Sequence, residues 1–318
     1  MSKPRIYVTR LIPEPALRRL EEVFVLDANR ESAPVSRERL LEAVREADAL
    51  LCLLTDSIDK ELLDAAPRLK CVSNYAVGYN NIDVDYATQR GIAVCNTPGV
   101  LTESTADLAW SLLMSCARHI VEGDNYVRAG KFTGWEPMLF LGNDVYGKTL
   151  GIIGMGRIGR AVARRASGFA MRVLYFDPTV DPESLPQEYQ AAELPQLCQD
   201  ADFISIHAPL TPQTRHLIGA PELALMKQTA VLVNTARGPI IDEAALIQAL
   251  RDKRIAAAGL DVYEFEPQIP AELLTLDNVV LLPHIGSASW ETRTKMGLLA
   301  AENAIAVIEG RTPPARVN

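Results

Sequence analysis

Short apolar runs alternate with amphipathic stretches from the start of the chain. Runs at 6–9, 23–26 and 49–53 are each followed by a pattern of helical period, at 15–22, 36–46 and 60–66. This rhythm predicts βαβα units. It continues through 71–74 and 92–95, and a long helical stretch over 102–129 then leads to a second series. In that series the apolar runs at 148–153, 172–176, 203–206, 230–234, 256–260 and 279–282 alternate with helical patterns such as 160–170 and 242–253. Such runs suit strands of a doubly wound parallel sheet. The last helical pattern, 290–309, has no strand left to serve in the second sheet. It is expected to return to the first, which makes that domain discontinuous: 1–100 with 288–318, against 101–287 for the other.

The run at 148–153 enters Gly154-Met155-Gly156-Arg157-Ile158-Gly159. A GxGxxG that follows a strand and opens a helix is a dinucleotide-binding signature, whereas the bare motif can be an ordinary turn. Gly154 permits the turn, Gly156 lets backbone amides approach a pyrophosphate, and Gly159 lets the helix pack close to the strand. The N-terminus of the helix that follows faces the anion, and Arg157 and Ile158 lie in the loop before it, where Arg157 can neutralise the pyrophosphate. The next strand ends in Asp177, at the distance where a carboxylate reaches an adenosine ribose.

At 318 residues two domains are expected. A net charge of −8 disfavours nucleic acid or an anionic membrane as the main partner. No signal-peptide core and no run long enough to cross a bilayer is present, so a cytoplasmic protein is expected. Cys52, Cys71, Cys95, Cys116 and Cys198 are scattered through apolar runs, which predicts buried free thiols and no metal site. One segment departs from the rhythm. Over 123–147, Trp135, Met138, Phe140, Leu141 and Tyr146 stand among glycines, and a loop this apolar is costly to leave in water. It is expected to be an arm buried by a second copy of the chain.

Three segments at predicted strand ends carry candidate chemistry: Asn234-Thr235-Ala236-Arg237-Gly238, Asp261 to Pro267, and Pro283-His284-Ile285-Gly286-Ser287. In open α/β sheets, ligands bind at the carboxyl ends of the strands. Arg237 can grip a substrate carboxylate in a bidentate pair. His284 can give or take a hydroxyl proton, and a carboxylate at Glu266 would favour the imidazolium form. Glu264 competes with Glu266 for that role, and periodicity does not separate them. His207 is expected to line the cofactor cleft, while His119 and His216 lack a comparable setting and are expected to be structural or exposed.

On these segments, which occur in order and with matching spacing, the chain resembles the D-isomer-specific 2-hydroxyacid dehydrogenase family over nearly its whole length. The resemblance implies two Rossmann-like doubly wound domains, one flavodoxin-like and one NAD-binding, with the active site in the cleft between them. It implies Arg237 as the substrate-binding arginine, Glu266 rather than Glu264 as partner of the histidine, and His284 as the acid/base. The segment Ala76 to Asp83 resembles the family's substrate loop, which implies that the amides of Val77 and Gly78 bind the substrate carboxylate. Trp135 matches a tryptophan of the dimer arm that reaches the substrate, with plain dimer packing as the alternative. Thr105, His207, Thr235, Ala236, Asp261 and Gly286 are expected to complete the cofactor cleft.

Within the family, Asn96 to Thr102, Phe140 to Lys148 and Ser287 to Arg293 look most like glyoxylate and hydroxypyruvate reductases, with 2-ketogluconate reductases close behind. Asp177 would accept bonds from a ribose and repel a 2′-phosphate, so NAD(H) is expected over NADP(H). Many similar reductases have a serine–arginine pair here, and Phe176-Asp177-Pro178 departs from them. The expected protein is therefore an NADH-dependent 2-oxoacid reductase acting as a homodimer on a small acid. A phosphoglycerate- or D-lactate-type dehydrogenase on the same scaffold is an alternative. An NAD(H)-sensing corepressor-like binding protein is another, disfavoured by the intact Arg237, Glu266 and His284.

Overall fold

Strands such as Ala49–Cys52 and Val231–Asn234 are buried at every position, as strands covered on both faces must be. All pairs of named strands in the computed structural model are parallel. The structure describes residues 3–318. These divide into two α/β units: residues up to Leu101 with Ser287–Asn318, and Thr102–Gly286.

The first unit contains β1 (Arg5–Val8), α1 (Glu14–Val23), β2 (Val25–Ala28), α2 (Arg37–Ala43), β3 (Ala49–Cys52), α3 (Lys60–Ala65), β4 (Cys71–Asn74), α4 (Val84–Gln89) and β5 (Ala93–Cys95). The strand order is β2-β1-β3-β4-β5, that of a flavodoxin-like sheet. The last helix of the chain packs on this sheet. That helix, Trp290–Ile308, also lies against α1, where a β-carbon on Gly297 would come within 2.8 Å of Ala16 Cβ. Ser73 Oγ donates to the Ala300 carbonyl at 2.8 Å. Asn303, fully buried, donates to the Asn96 carbonyl at 2.9 Å and accepts from the Ala315 amide at 3.0 Å.

The second unit runs through α5 (Thr102–Ala117), α6 (Ile120–Arg128), β6 (Thr149–Ile153), α7 (Arg157–Ala166), β7 (Arg172–Phe176), β8 (Tyr189–Ala191), α8 (Leu194–Asp200), β9 (Phe203–Ile206), α9 (Ala220–Leu225), β10 (Val231–Asn234), α10 (Glu243–Arg251), β11 (Ala257–Leu260), α11 (Ala271–Leu274) and β12 (Val279–Leu281), so the helix Trp290–Ile308 is α12. The order β12-β11-β10-β9-β6-β7-β8 reverses direction beside β6, which is the Rossmann arrangement. One core, with Leu232, Leu246 and Leu260, covers one face of the sheet. A second, with Trp110, Leu112, Val162 and Val233, covers the other.

The stretch 102–129 is not one helix. It breaks at His119, whose φ of 51° is left-handed, so α5 ends at Ala117 and α6 starts at Ile120. The cause is a chain crossing. The Ala117 carbonyl accepts from the Asn143 amide at 2.9 Å, and a β-carbon on Gly142 would lie 2.1 Å from that carbonyl oxygen. Helix α7 begins at Arg157 instead of 160, directly on the glycine loop. In the segment that follows α6, Trp135, Met138 and Tyr146 are 84%, 75% and 74% exposed. All five cysteines are buried and free. No helix among the described residues is long and apolar enough to cross a membrane.

Replacing Asn303 by Leu would take from the half-buried Asn96 carbonyl and Ala315 amide their bonds to this side chain and put an apolar group in the fully buried site. This is expected to cost about 2–4 kcal/mol, read from urea unfolding of the variant. An unchanged midpoint would mean that Asn303 does not hold α12 in place.

Candidate active site

Two glycines where β6 leads into α7, Gly154 and Gly159, are there for steric reasons. Gly154 has φ +94°, and a β-carbon there would lie 2.5 Å from the Ala208 amide nitrogen. A β-carbon on Gly159 would lie 2.1 Å from the Gly154 carbonyl oxygen, so the helix can approach only without one. At Gly156 a β-carbon would meet nothing within 4 Å, which leaves this side of the loop open. The first amides of α7 have no intrahelical acceptor and point outward from its N-terminus. Arg157 and the half-buried Ile158 open the helix, and Arg157 is exposed.

Asp177 follows β7 and closes over the loop. Its Oδ2 accepts from the Met155 amide at 2.8 Å, and its Oδ1 accepts from the amide and hydroxyl of Thr179 at 2.9 and 2.7 Å. Burial acts to raise its pKa, but these bonds outweigh it and hold the carboxyl below its ordinary value. On the other side of β6, His207 follows β9. Its Nε2 is 2.8 Å from Ser205 Oγ, while its Nδ1 is buried with no partner. Burial pushes the His207 pKa down to about 3, so the ring is neutral. Thr235 follows the neighbouring β10 and also has a buried hydroxyl without a partner. Orphaned buried polar groups are met in native proteins by ordered water, an ion or a bound group. Together with the open glycine loop, they fit a dinucleotide. Thr105 on α5 is buried, with its methyl 3.5 Å from where a Gly286 β-carbon would stand. The Ala236 amide is taken by Asn234 Oδ1 at 3.0 Å.

The ends of β10, β11 and β12 bring the expected chemical groups together. His284 Nδ1 lies 2.8 Å from Glu266 Oε2. The other oxygen of Glu266 accepts from the Tyr263 amide at 3.0 Å, and the Tyr263 hydroxyl donates to the Leu282 carbonyl at 2.9 Å. Burial acts to raise the pKa of Glu266, but His284, the Tyr263 amide and Arg237 hold it below the usual carboxylate value. An ionised carboxylate only accepts, so Nδ1 carries the proton. The opposite nitrogen, Nε2, has no partner among the described residues. Arg237 is drawn down from its ordinary pKa by burial, with the Glu266 charge opposing, and its Nη1 donates to the Ala236 carbonyl at 2.6 Å.

His284 itself has φ +56°. The next two amides, of Ile285 and Gly286, each donate to Asp261 at 2.7 Å. Asp261 is 1% exposed, and burial raises its pKa. Expected in the cofactor cleft, it also clamps the turn that carries the histidine.

In the other unit, the segment at Val77 and Gly78 has its carbonyls tied back. Ala76 O accepts from the Thr97 amide at 2.9 Å, Val77 O from Asn96 Nδ2 at 2.8 Å and Gly78 O from Asn74 Nδ2 at 2.8 Å. The amides of Val77 and Gly78 have no acceptor among the described residues, which leaves two successive donors open to a ligand. Trp135 stands on the exposed segment described above.

Two side chains acquire partners that sequence reasoning did not assign. Glu264 turns away from the histidine of interest, and its Oε1 lies 2.7 Å from His216 Nε2 and 3.2 Å from Arg215 Nη2. His216 is therefore half of another His–Glu pair. With its partners 48 positions apart, no local signal announces it.

The model of the D-isomer specific 2-hydroxyacid dehydrogenase NAD binding domain matches residues 110–286. A glyoxylate reductase of Korarchaeum cryptofilum is 55% identical, with 99% of this chain and 96% of that protein aligned. Among solved structures, the TT0316 protein of Thermus thermophilus superposes with a TM-score of 0.93 at 46% identity, covering 99% of this chain and 100% of that one. An NADPH-dependent glyoxylate/hydroxypyruvate reductase of Sinorhizobium meliloti, solved with NADP and malonate, gives 0.88 at 35% identity, covering 99% of this chain and 97% of that one.

The neutral His207 makes a pH prediction. Its pKa is about 3 in the folded chain and its ordinary value is 6.5, so between these values the unfolded chain binds the extra proton. Stability then falls as pH drops below about 6.5. His207→Gln is expected to flatten that fall, by up to one proton, in unfolding free energies measured between pH 7 and 4.5. Parallel slopes for both proteins would contradict a buried neutral ring.

Proposed function

This chain belongs to the D-isomer-specific 2-hydroxyacid dehydrogenase family, oxidoreductases of the CH–OH group of 2-hydroxy acids, and from that premise we propose that it is an NADH-dependent reductase of glyoxylate and hydroxypyruvate. The observation that carries the reading is the 2.8 Å contact of His284 Nδ1 with Glu266, which leaves Nε2 free to face a substrate oxygen. The glyoxylate reductase relative supports the substrate class.

In this reading Thr102–Gly286 holds the cofactor and the other unit takes the substrate carboxylate. A bound NADH supplies the hydride. The amides of Gly156, Arg157 and Ile158 bind its pyrophosphate, aided by the Arg157 charge, and Gly154 and Gly159 shape the loop that presents them. Thr105, His207, Thr235, Ala236, Asp261 and Gly286 line the remainder of the cofactor site. Asp177 accepts a ribose hydroxyl through the free lone pair of Oδ2 and opposes a 2′-phosphate. The amides of Val77 and Gly78, with the Arg237 guanidinium, fix the substrate carboxylate and orient the adjacent carbonyl. His284 Nε2 delivers the proton to the carbonyl oxygen as the alcohol forms, while Glu266 offsets the imidazolium charge. Reversal of the same transfers oxidises a 2-hydroxy acid.

The exposed apolar side chains around Trp135 support a homodimer in which the arm is covered by a second copy. Whether Trp135 also reaches the partner's substrate is decided by Trp135→Phe kinetics. Five buried free thiols suit a reducing compartment, which supports a cytoplasmic enzyme.

Loss of NADH absorbance on addition of glyoxylate or hydroxypyruvate tests the activity, and no turnover with any short 2-oxoacid would overturn it. His284→Ala is expected to lower kcat about 10²–10⁴-fold with little change in NADH binding. Arg237→Ala is expected to raise KM as well as lower kcat. If both variants keep near-full kcat/KM, the roles are wrong. For the cofactor, Asp177→Ala is expected to raise the NADPH-to-NADH ratio of kcat/KM by about tenfold, roughly 1.4 kcal/mol. An unaltered ratio would remove Asp177 as the selector.

A further inference from the structure

Glu264 stands two residues from Glu266, but its carboxylate serves a different set of partners. It is 8% exposed and accepts from His216 Nε2, from Arg215 Nη2 and, through Oε2, from the Glu243 amide at 3.4 Å. Glu243 answers in kind, since its Oε1 accepts from the Glu264 amide at 3.2 Å. Two buried carboxylates therefore cross, each bonded to the other's backbone. Glu243 is the first residue of α10, where amides lack intrahelical acceptors and a negative charge is favoured. Burial raises the Glu243 pKa, the Glu264 charge adds to this, and the Glu264 amide opposes it.

The same three segments are also in backbone contact. The His216 amide donates to the Pro239 carbonyl at 2.8 Å, and Ile218 donates to Ile240 at 3.1 Å. A β-carbon on Gly238 would lie 1.9 Å from the Tyr263 carbonyl and 2.4 Å from the Glu264 nitrogen. One of these segments carries Arg237, and another carries Tyr263 and Glu266.

We infer that Glu264, braced by Glu243 and His216, is a positioning residue that locks the Arg237 loop to the Glu266 loop and so sets Glu266 against His284. The inference rests on the roles proposed above for these three residues. Glu264 has no hydrogen bond to His284; its carboxylate is taken by His216, Arg215 and the Glu243 amide. It acts by fixing the backbone from which the Tyr263 amide holds Glu266.

The test compares glyoxylate turnover, NADH affinity by fluorescence and melting temperature in Glu264→Ala, Glu264→Gln, His216→Ala and, as a control, His284→Ala. For Glu264→Ala, kcat is expected to fall about 30-fold, within the roughly 10²-fold that a 1 Å misplacement costs. Its NADH affinity should stay within about twofold, because a purely stabilising role gives no such selective loss of kcat. Glu264→Gln, which keeps an acceptor, should recover most of the rate, and His216→Ala should show a smaller loss of the same kind. Unchanged kcat in Glu264→Ala, or an equal fall in NADH affinity, overturns the inference. If Glu264→Ala does not fold, unchanged kcat in folded His216→Ala overturns it instead. Loss of turnover in His284→Ala alone leaves the site reading standing and removes only Glu264, whereas full turnover in His284→Ala removes both.

Discussion

His284 stands in a left-handed conformation, φ +56°, which costs a residue with a β-carbon roughly 1–2 kcal/mol. It persists because Asp261, buried at the end of β11, accepts the two amides that follow, each at 2.7 Å. A buried carboxylate needs such donors as much as the turn needs the acceptor. Tyr263 adds a second tie, its hydroxyl on Leu282 and its amide on Glu266. The direction of the imidazole and its 2.8 Å contact with Glu266 depend on this clamp. Strain held by the surrounding structure is common where a group must be aimed.

The parallel sheet explains why these groups meet at all. Strands β9, β10, β11 and β12 lie side by side in that order, and all run the same way. Whatever follows each strand therefore emerges at one edge. His207 follows β9, Thr235 and Arg237 follow β10, Asp261 and Glu266 follow β11, and His284 follows β12. The edge carries opposed charges in mutual reach. Arg237 is depressed by burial with the Glu266 charge opposing, and Glu266 is held down against burial first by its hydrogen bond with His284, with the Tyr263 amide and Arg237 adding.

Much of this was readable from the sequence because parallel strands are continuous apolar runs and glycines with one steric purpose recur at set spacing. The runs at Cys71–Asn74, Arg172–Phe176 and Phe203–Ile206 have the bounds that their hydrophobicity predicts. What escaped reading depends on contacts far apart in the chain. The break at His119 is made by Gly142 and Asn143 crossing the end of α5, and nothing near residue 119 signals it. Short elements such as β8 and α4 bury too few side chains to stand out. Likewise, periodicity could not separate Glu264 from Glu266. The resemblance pairs Glu266 with His284, as the fold does, but the His216 partner of Glu264 lies 48 positions away and only the fold assigns it.

The discontinuity of the first unit has a consequence in time. Helix α12 supplies the cover for β4 and the partner for α1 through Ser73, Gly297 and Asn303, yet Thr102–Gly286 precedes it in the chain. On a ribosome, where domains fold as they emerge, the Rossmann unit has all its residues while the earlier-synthesised sheet still lacks its last layer. The first sheet must then wait, unsealed, for about two hundred residues of translation. The portion made first is the portion completed last, and it is the one most exposed to wrong partners on the way.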